Sequence, residues 1–262
     1  MKLLLSCLVL VLATGCFRGP CIDHSLKAKS QDSRVQFLIL HFTSDTWETS
    51  VKTLTGDNVS SHYLVRDNPV KVYQLVDENQ RAYHAGLSFW QGQTQLNAAS
   101  IGIEIQNLGD TQGPKGIEYH EYPKAQIDAV IALVKDIVAR HHIRPDRILG
   151  HSDIAPQRKV DPGPTFPWKR LADEGLIPWP KAEAVALRRK AFEAAPPDMA
   201  WFQAKLAMSG FGLQQTGLLD PETRQVLSVF QMKYRPTDYA GNPDAETAAI
   251  LDVLTSPAAK AP

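Results

Sequence analysis

The stretch "KAQIDAVIALVKDIVARHHIRPDRILGHSDIAPQRKVDPG", Lys124 to Gly163, changes character twice. Ile127, Val130, Ile131, Val134 and Val138 recur at helical spacing, which predicts an amphipathic helix from Lys124 to His141. "RPDRILGH" then reads as a turn and a short strand ending at His151. The remainder, "GHSDIAPQRKVDPG", looks too irregular for a helix, yet it carries His151, Lys159 and Asp161 before stopping at Pro-Gly. A long helix that feeds a strand belongs to a mixed architecture rather than to an all-α or all-β one.

Upstream, the pattern is that of strands. "RVQFLILHF" holds a buried strand from Val35 to Phe42. "SHYLV" and "KVYQLV" flank an Asp-Asn-Pro turn, the signature of a hairpin. In "SIGIEIQN", Ile101, Ile103 and Ile105 share one face, while Gly102, Glu104 and Gln106 share the other. The expectation is an α/β domain, a mixed β-sheet flanked by helices, over residues 34–180.

Downstream, residues 181–198 read as a linker, with "AAPPDM" marking its end. Beyond it, "TGLLDPETRQVL" and "AGNPDAETAAIL" align without gaps, pairing Gly217 with Gly241, Asp220 with Asp244 and Thr223 with Thr247. Each Asp is a natural helix N-cap, and Pro221 occupies the favoured first helical position. With "AWFQAKLAMSGFG" ahead of them, these segments predict a small all-α, three-helix domain over residues 199–256. It carries no cluster of catalytic side chains and suits binding or packing.

The N-terminus is of another kind. "MKLLLSCLVLVLATGC" has one basic residue, Lys2, and an apolar run of signal-peptide length, too short to span a membrane. The small residues Ala13, Thr14 and Gly15 precede Cys16, and the arrangement resembles the lipobox of bacterial lipoproteins. Residues 1–15 are therefore expected to be a lipoprotein signal peptide, Cys16 the lipidation site, and 16–33 a polar tether. Once Cys7 leaves with the signal and Cys16 carries lipid, Cys21 stands alone, so no disulfide framework forms and any metal must bind through His and carboxylates. The 28 Lys+Arg balance 28 Asp+Glu, which excludes a basic field for nucleic acid. No obligate protein partner is evident.

Asp161 precedes a proline and is pushed toward extended backbone, so Lys159 and Asp161, two apart, project together. His151 is offered by the same loop, and His41 ends the apolar run "FLILHF". Two histidines and an aspartate with one position open suit catalytic zinc. Glu104 interrupts an isoleucine-rich strand, where a carboxylate is costly unless it has a partner or a task, and proton transfer is such a task. Each residue also has an ordinary reading: His41 as a satisfied strand-end histidine, Lys159 as a solvated lysine, Glu104 as a salt-bridge partner.

"LHFT", "SSHYLV", "YHAG", "SIGIEIQN" and "GHSDIAPQRKVDPGPTFPW" occur in the order seen in zinc-dependent N-acetylmuramoyl-L-alanine amidases of the type-2 family, whose fold is shared by peptidoglycan recognition proteins. The resemblance runs from about Val35 to Trp168 and is closest to the outer-membrane lipoprotein members, since the C-terminal repeat looks like a peptidoglycan-binding module. It implies zinc ligands at His41, His151 and Asp161, a catalytic Glu104 and a transition-state Lys159. "YHAG" resembles a cleft segment, which makes His84 a candidate substrate-lining residue; His62 reads as structural. The implied substrates are peptidoglycan and muropeptides, and the implied location is the envelope of a Gram-negative bacterium, on the outer membrane facing the periplasm. The competing expectation is a recognition protein of the same fold that binds wall material without cutting it.

Overall fold

The computed structural model describes residues 20–113 and 116–256. The chain falls into two units, Met1–Asp32 and Ser33–Pro262. The described part of the first, residues 20–32, holds no helix or strand. The lipobox and Cys16 lie outside the described residues, and no helix among the described residues is long and apolar enough to cross a membrane.

In the second unit the apolar run forms β1, Phe37–Phe42, followed by α1, Trp47–Leu54. The expected hairpin is β2, Tyr63–Asp67, and β3, Val70–Gln74, antiparallel to one another. A short α2, Leu96–Ala99, leads into β4, Ser100–Ile105. A separate hairpin follows, β5, Asp110–Gly113, and β6, Gly116–Tyr119. Then come α3, Lys124–His141, a 3-10 turn at Pro145–Arg147, and β7, Ile148–Gly150. His151 does not end that strand. It opens α4, His151–Ile154, because the Asp153 carboxylate accepts the Gly150 N–H at 2.8 Å and turns the chain one residue earlier than the apolar pattern implies.

The main sheet runs β3-β2-β4-β1-β7, with β2, β4, β1 and β7 parallel and β3 antiparallel at one edge. Leu38 and Leu40 of β1 and the three isoleucines of β4 meet Ile127, Val130, Val134 and Ile137 of α3 on one face. Burying each such side chain contributes on the order of 1.5–3 kcal/mol, which holds α3 in place.

The opposite face, Phe37, Ile39 and Leu149, is covered by helices from the C-terminal third. After α5, Trp168–Asp173, these are α6, Ala182–Ala194, α7, Met199–Ser209, α8, Pro221–Tyr234, and α9, Ala245–Thr255. Phe202, Leu206, Val226, Leu227 and Phe230 join Phe37 and Ile39 in one apolar cluster. The stretch read as a linker is mostly α6, which lies along α9 and pairs Arg188 with Asp252 and Arg189 with Glu246. Its alanines favour helix while its residues stay largely out of the core, so no apolar stripe announced it.

The internal repeat has a structural counterpart. Asp220 and Asp244 cap α8 and α9 by accepting from Thr223 N and Thr247 N. Gln203 and Gln231, both buried, do the same work one repeat apart: each carbonyl accepts from Gly217 N or Gly241 N, and each amide donates to Thr223 or Thr247. Those two glycines turn with φ of 73° and 72°, a conformation other residues rarely adopt.

Candidate active site

The parallel strands present their C-terminal ends together, the usual place for a ligand in such a sheet. There the second face changes from apolar to ionisable: Ile39 is followed two residues later by His41, and Gly102 by Glu104. His41 Nδ1 lies 3.0 Å from His151 Nδ1 and 3.1 Å from Asp161 Oδ2, and His151 Nδ1 lies 3.2 Å from the same oxygen. All three residues are buried.

The protons on these rings follow from their outer partners. Ser100 Oγ donates to the Leu96 carbonyl at 2.6 Å, so it accepts from His84 Nε2–H at 3.1 Å. His84 Nδ1 then has only a lone pair to offer, and it accepts from His41 Nε2–H at 3.0 Å. His151 Nε2–H donates to the Ala85 carbonyl at 3.2 Å. Both Nδ1 atoms are left as lone pairs facing each other and a carboxylate oxygen. Three acceptors at such separations repel unless a cation stands among them, and a tetrahedral ion with bonds of about 2.0–2.2 Å sets its ligand atoms at a similar spacing. The donor set therefore fits a divalent metal such as zinc.

Ionisation agrees. Burial and the neighbouring His151 bring His41 down to about 4, so its ring is neutral at pH 7. Burial and the surrounding histidines lower His84 well below its ordinary value.

The cluster forms one side of a cleft of about 240 Å³, whose lining also includes Tyr83, His84, Glu104 and Lys159. Glu104 is raised well above the usual range by burial and by Asp161, an effect that Lys159 opposes. Its Oε2 is buried with no hydrogen-bond partner among the described residues. A carboxylate so placed is not the salt-bridge member that an ordinary buried glutamate would be.

The structure thus brings together all five residues singled out for chemistry. His84 borders the cleft as expected, but both its ring nitrogens are engaged, with His41 and Ser100. Through them it fixes which nitrogen of His41 faces His151 and Asp161. His62 is fully buried; it accepts from Gly102 N and donates to the Gln80 carbonyl. Sequence reasoning missed Ser100 and Arg158, whose guanidinium donates to the Ala85 and Leu87 carbonyls and holds the loop behind His151. The Ser before "IGIEI" gave no warning, since its value lies in a bond to the loop that carries His84.

A family model described as N-acetylmuramoyl-L-alanine amidase matches residues 31–164. The chain is 43% identical over 245 residues to the N-acetylmuramoyl-L-alanine amidase AmiD of Escherichia coli K12, covering 90% of this chain and 88% of that protein. It is 41% identical over 113 residues to the 1,6-anhydro-N-acetylmuramyl-L-alanine amidase AmpD of Enterobacter cloacae, covering 43% of this chain and 55% of that one. Among solved structures, AmiD from E. coli in complex with anhydro-N-acetylmuramic acid-L-Ala-D-gamma-Glu-L-Lys superimposes with a TM-score of 0.81 at 42% identity, covering 89% of this chain and 93% of that one. AmpDh3 from Pseudomonas aeruginosa with anhydromuramic pentapeptide gives 0.83 at 36% identity, covering 89% and 96%.

Proposed function

Because the chain belongs to the N-acetylmuramoyl-L-alanine amidase family, we propose that its cleft is a zinc site worked by Glu104 and Lys159. The reaction is hydrolysis of the amide between the lactyl group of N-acetylmuramic acid and the L-alanine of the stem peptide. One observation carries the assignment of roles: three buried acceptor atoms, 3.0–3.2 Å apart, face one another beside a buried carboxylate oxygen that has no partner among the described residues.

His41, His151 and Asp161 hold the metal. Zinc in such a site lowers the pKa of water and polarises a carbonyl. Glu104 takes the proton of the attacking water and delivers it to the departing nitrogen, because an amide nitrogen leaves poorly until protonated. Lys159 lines the same cleft, where its ammonium meets the charge that develops on the carbonyl oxygen. Asp161 balances the positive charge of metal and lysine.

The recognition-only alternative leaves Glu104 and Lys159 without a task, whereas the complete set gives each residue one. Incubating the purified chain with muropeptides and weighing the products tests the reading. Release of free stem peptide and sugar is expected; binding without mass change would refute it.

Location belongs to the same proposal. The leader through Gly15 followed by Cys16 supports lipid attachment at Cys16, with the chain held on the outer membrane and facing the periplasm, within reach of the wall. Cys16→Ser is expected to move the protein from the membrane fraction to the soluble one; unchanged fractionation would defeat the anchor.

A further inference from the structure

The C-terminal helices reach the active-site loop through one buried cation. Lys233, on α8, is 6% exposed, and its Nζ donates to Asp153 Oδ2 at 2.7 Å. The ammonium also stands 4.3 Å from the ring centre of Trp168. The same Asp153 oxygen accepts the Gly150 N–H at 2.8 Å. His151 lies inside this turn. Ser152 N–H donates to the Asp161 carbonyl at 2.9 Å, and Ala155 N–H to the His151 carbonyl at 3.0 Å. Gly150 has little room to shift, since a Cβ there would come within 2.7 Å of Pro162 Cδ and 3.2 Å of Trp168 Cζ2. Lys233, Trp168, Asp153 and Gly150 thus form a packed series that starts on a helix of the C-terminal unit and ends at two of the three ligand residues.

A lysine is a costly choice for mere packing. Desolvating an ammonium is expensive, and an apolar residue of similar size would often serve stability as well or better. What a buried ion pair adds is direction. Asp153, gripping a backbone N–H and a fixed cation with one oxygen, is held in a single orientation, and so is the turn it closes.

We propose that Lys233 is a positioning residue for the metal centre: by holding Asp153 it sets the turn from which His151 leaves β7, and so aims His151 Nδ1 at His41 and Asp161. The proposal rests on the reading of those three residues as metal ligands. It makes the helical unit a working part of the catalytic body rather than an appended module.

The test is titration of the purified chain, K233M and K233R with zinc, and with cobalt as a visible probe. Circular dichroism, taken well below each melting temperature, checks that every variant is folded. K233M is expected to bind zinc about tenfold more weakly, in the range seen when supporting residues of metal ligands are lost, and to alter the cobalt absorption bands. K233R, which keeps the charge, is expected to restore both. A K233M protein that melts earlier but keeps wild-type zinc affinity and an unchanged cobalt spectrum would overturn the proposal and leave Lys233 a structural residue. If K233M does not accumulate in folded form, K233L, which likewise removes both donor and charge, takes the same titration with the same two outcomes. A wild-type chain that binds neither metal would overturn the ligand assignment itself, and this inference with it, before any variant is compared.

Discussion

His41 and Glu104 are register partners on adjacent parallel strands, so the two side chains rise side by side from one face of the sheet. The preceding residues on that face, Ile39 and Gly102, belong to the protein's interior. The sheet, rather than a mobile loop, therefore fixes the separation between the His41 cluster and Glu104.

Glu104→Gln follows directly. The amide is nearly isosteric but cannot carry the proton, so turnover is expected to fall about 10²–10⁴-fold. Zinc content, measured by atomic absorption, is expected to stay at the wild-type level, because Glu104 is outside the proposed ligand set of His41, His151 and Asp161.

Lys159→Met removes a charge that matters once the carbonyl oxygen becomes negative. A fall in kcat of about 10²–10³ is expected, with a much smaller change in KM. Steady-state kinetics on a soluble muropeptide separates the two, and a loss confined to KM would assign Lys159 to ground-state binding instead.

The chain Leu96–Ser100–His84–His41 sets which nitrogen of His41 is free. Ser100→Ala leaves His84 Nε2–H without its acceptor and lets the ring change tautomer. Zinc affinity is expected to drop by about 10–100-fold in a competition titration, with the fold retained. Gly102→Ala disturbs the same relay by another route, since its Cβ would meet the His84 ring at 2.5 Å.

Stability at low pH has a source distant from the cleft. Burial would raise Glu78, but hydrogen bonds from Arg140, His141 and Tyr63 outweigh it and bring the carboxyl from 4.5 down to about 2. A carboxylate held down in the folded state stabilises fully above its unfolded value and loses that contribution as pH falls toward 2. Melting temperature is thus expected to decline between pH 5 and 3 in the wild type, and less steeply in Glu78→Gln.

Much of this was legible in the sequence where order along the chain decides the outcome. The helix Lys124–His141 follows from its apolar spacing, and the two faces of β4 follow from alternation. The five residues that the fold gathers at the cleft were named from their motifs. The contacts of His84, Ser100 and Lys233 were not, because each rests on a partner brought near only by the fold: His41 is 43 residues from His84, and Asp153 is 80 from Lys233. The helix α6 was missed for the opposite reason, being solvent-facing and without an apolar stripe.

The helical unit's place in the core gives a further expectation. Truncation after residue 180 would uncover Phe37, Ile39, Leu149 and Ile154, now buried in a shared cluster. At roughly 1.5–3 kcal/mol for each uncovered side chain, the loss approaches the whole stability of a domain. The fragment is expected to aggregate or to lose its cooperative thermal transition, whereas a sharp transition near that of the full chain would show that the covering layer is dispensable.

A metal count taken beside an activity assay decides whether the cleft works as a zinc hydrolase. The chain is stripped with a chelator, reloaded with zinc in known steps and assayed for stem-peptide release by mass spectrometry, with Glu104→Gln in parallel. Activity is expected to vanish on stripping and to return in proportion to zinc up to one ion per chain, while Glu104→Gln takes up the same ion and stays inactive. Turnover that survives complete removal of metal, or a zinc-loaded Glu104→Gln that cleaves at the wild-type rate, would contradict the account.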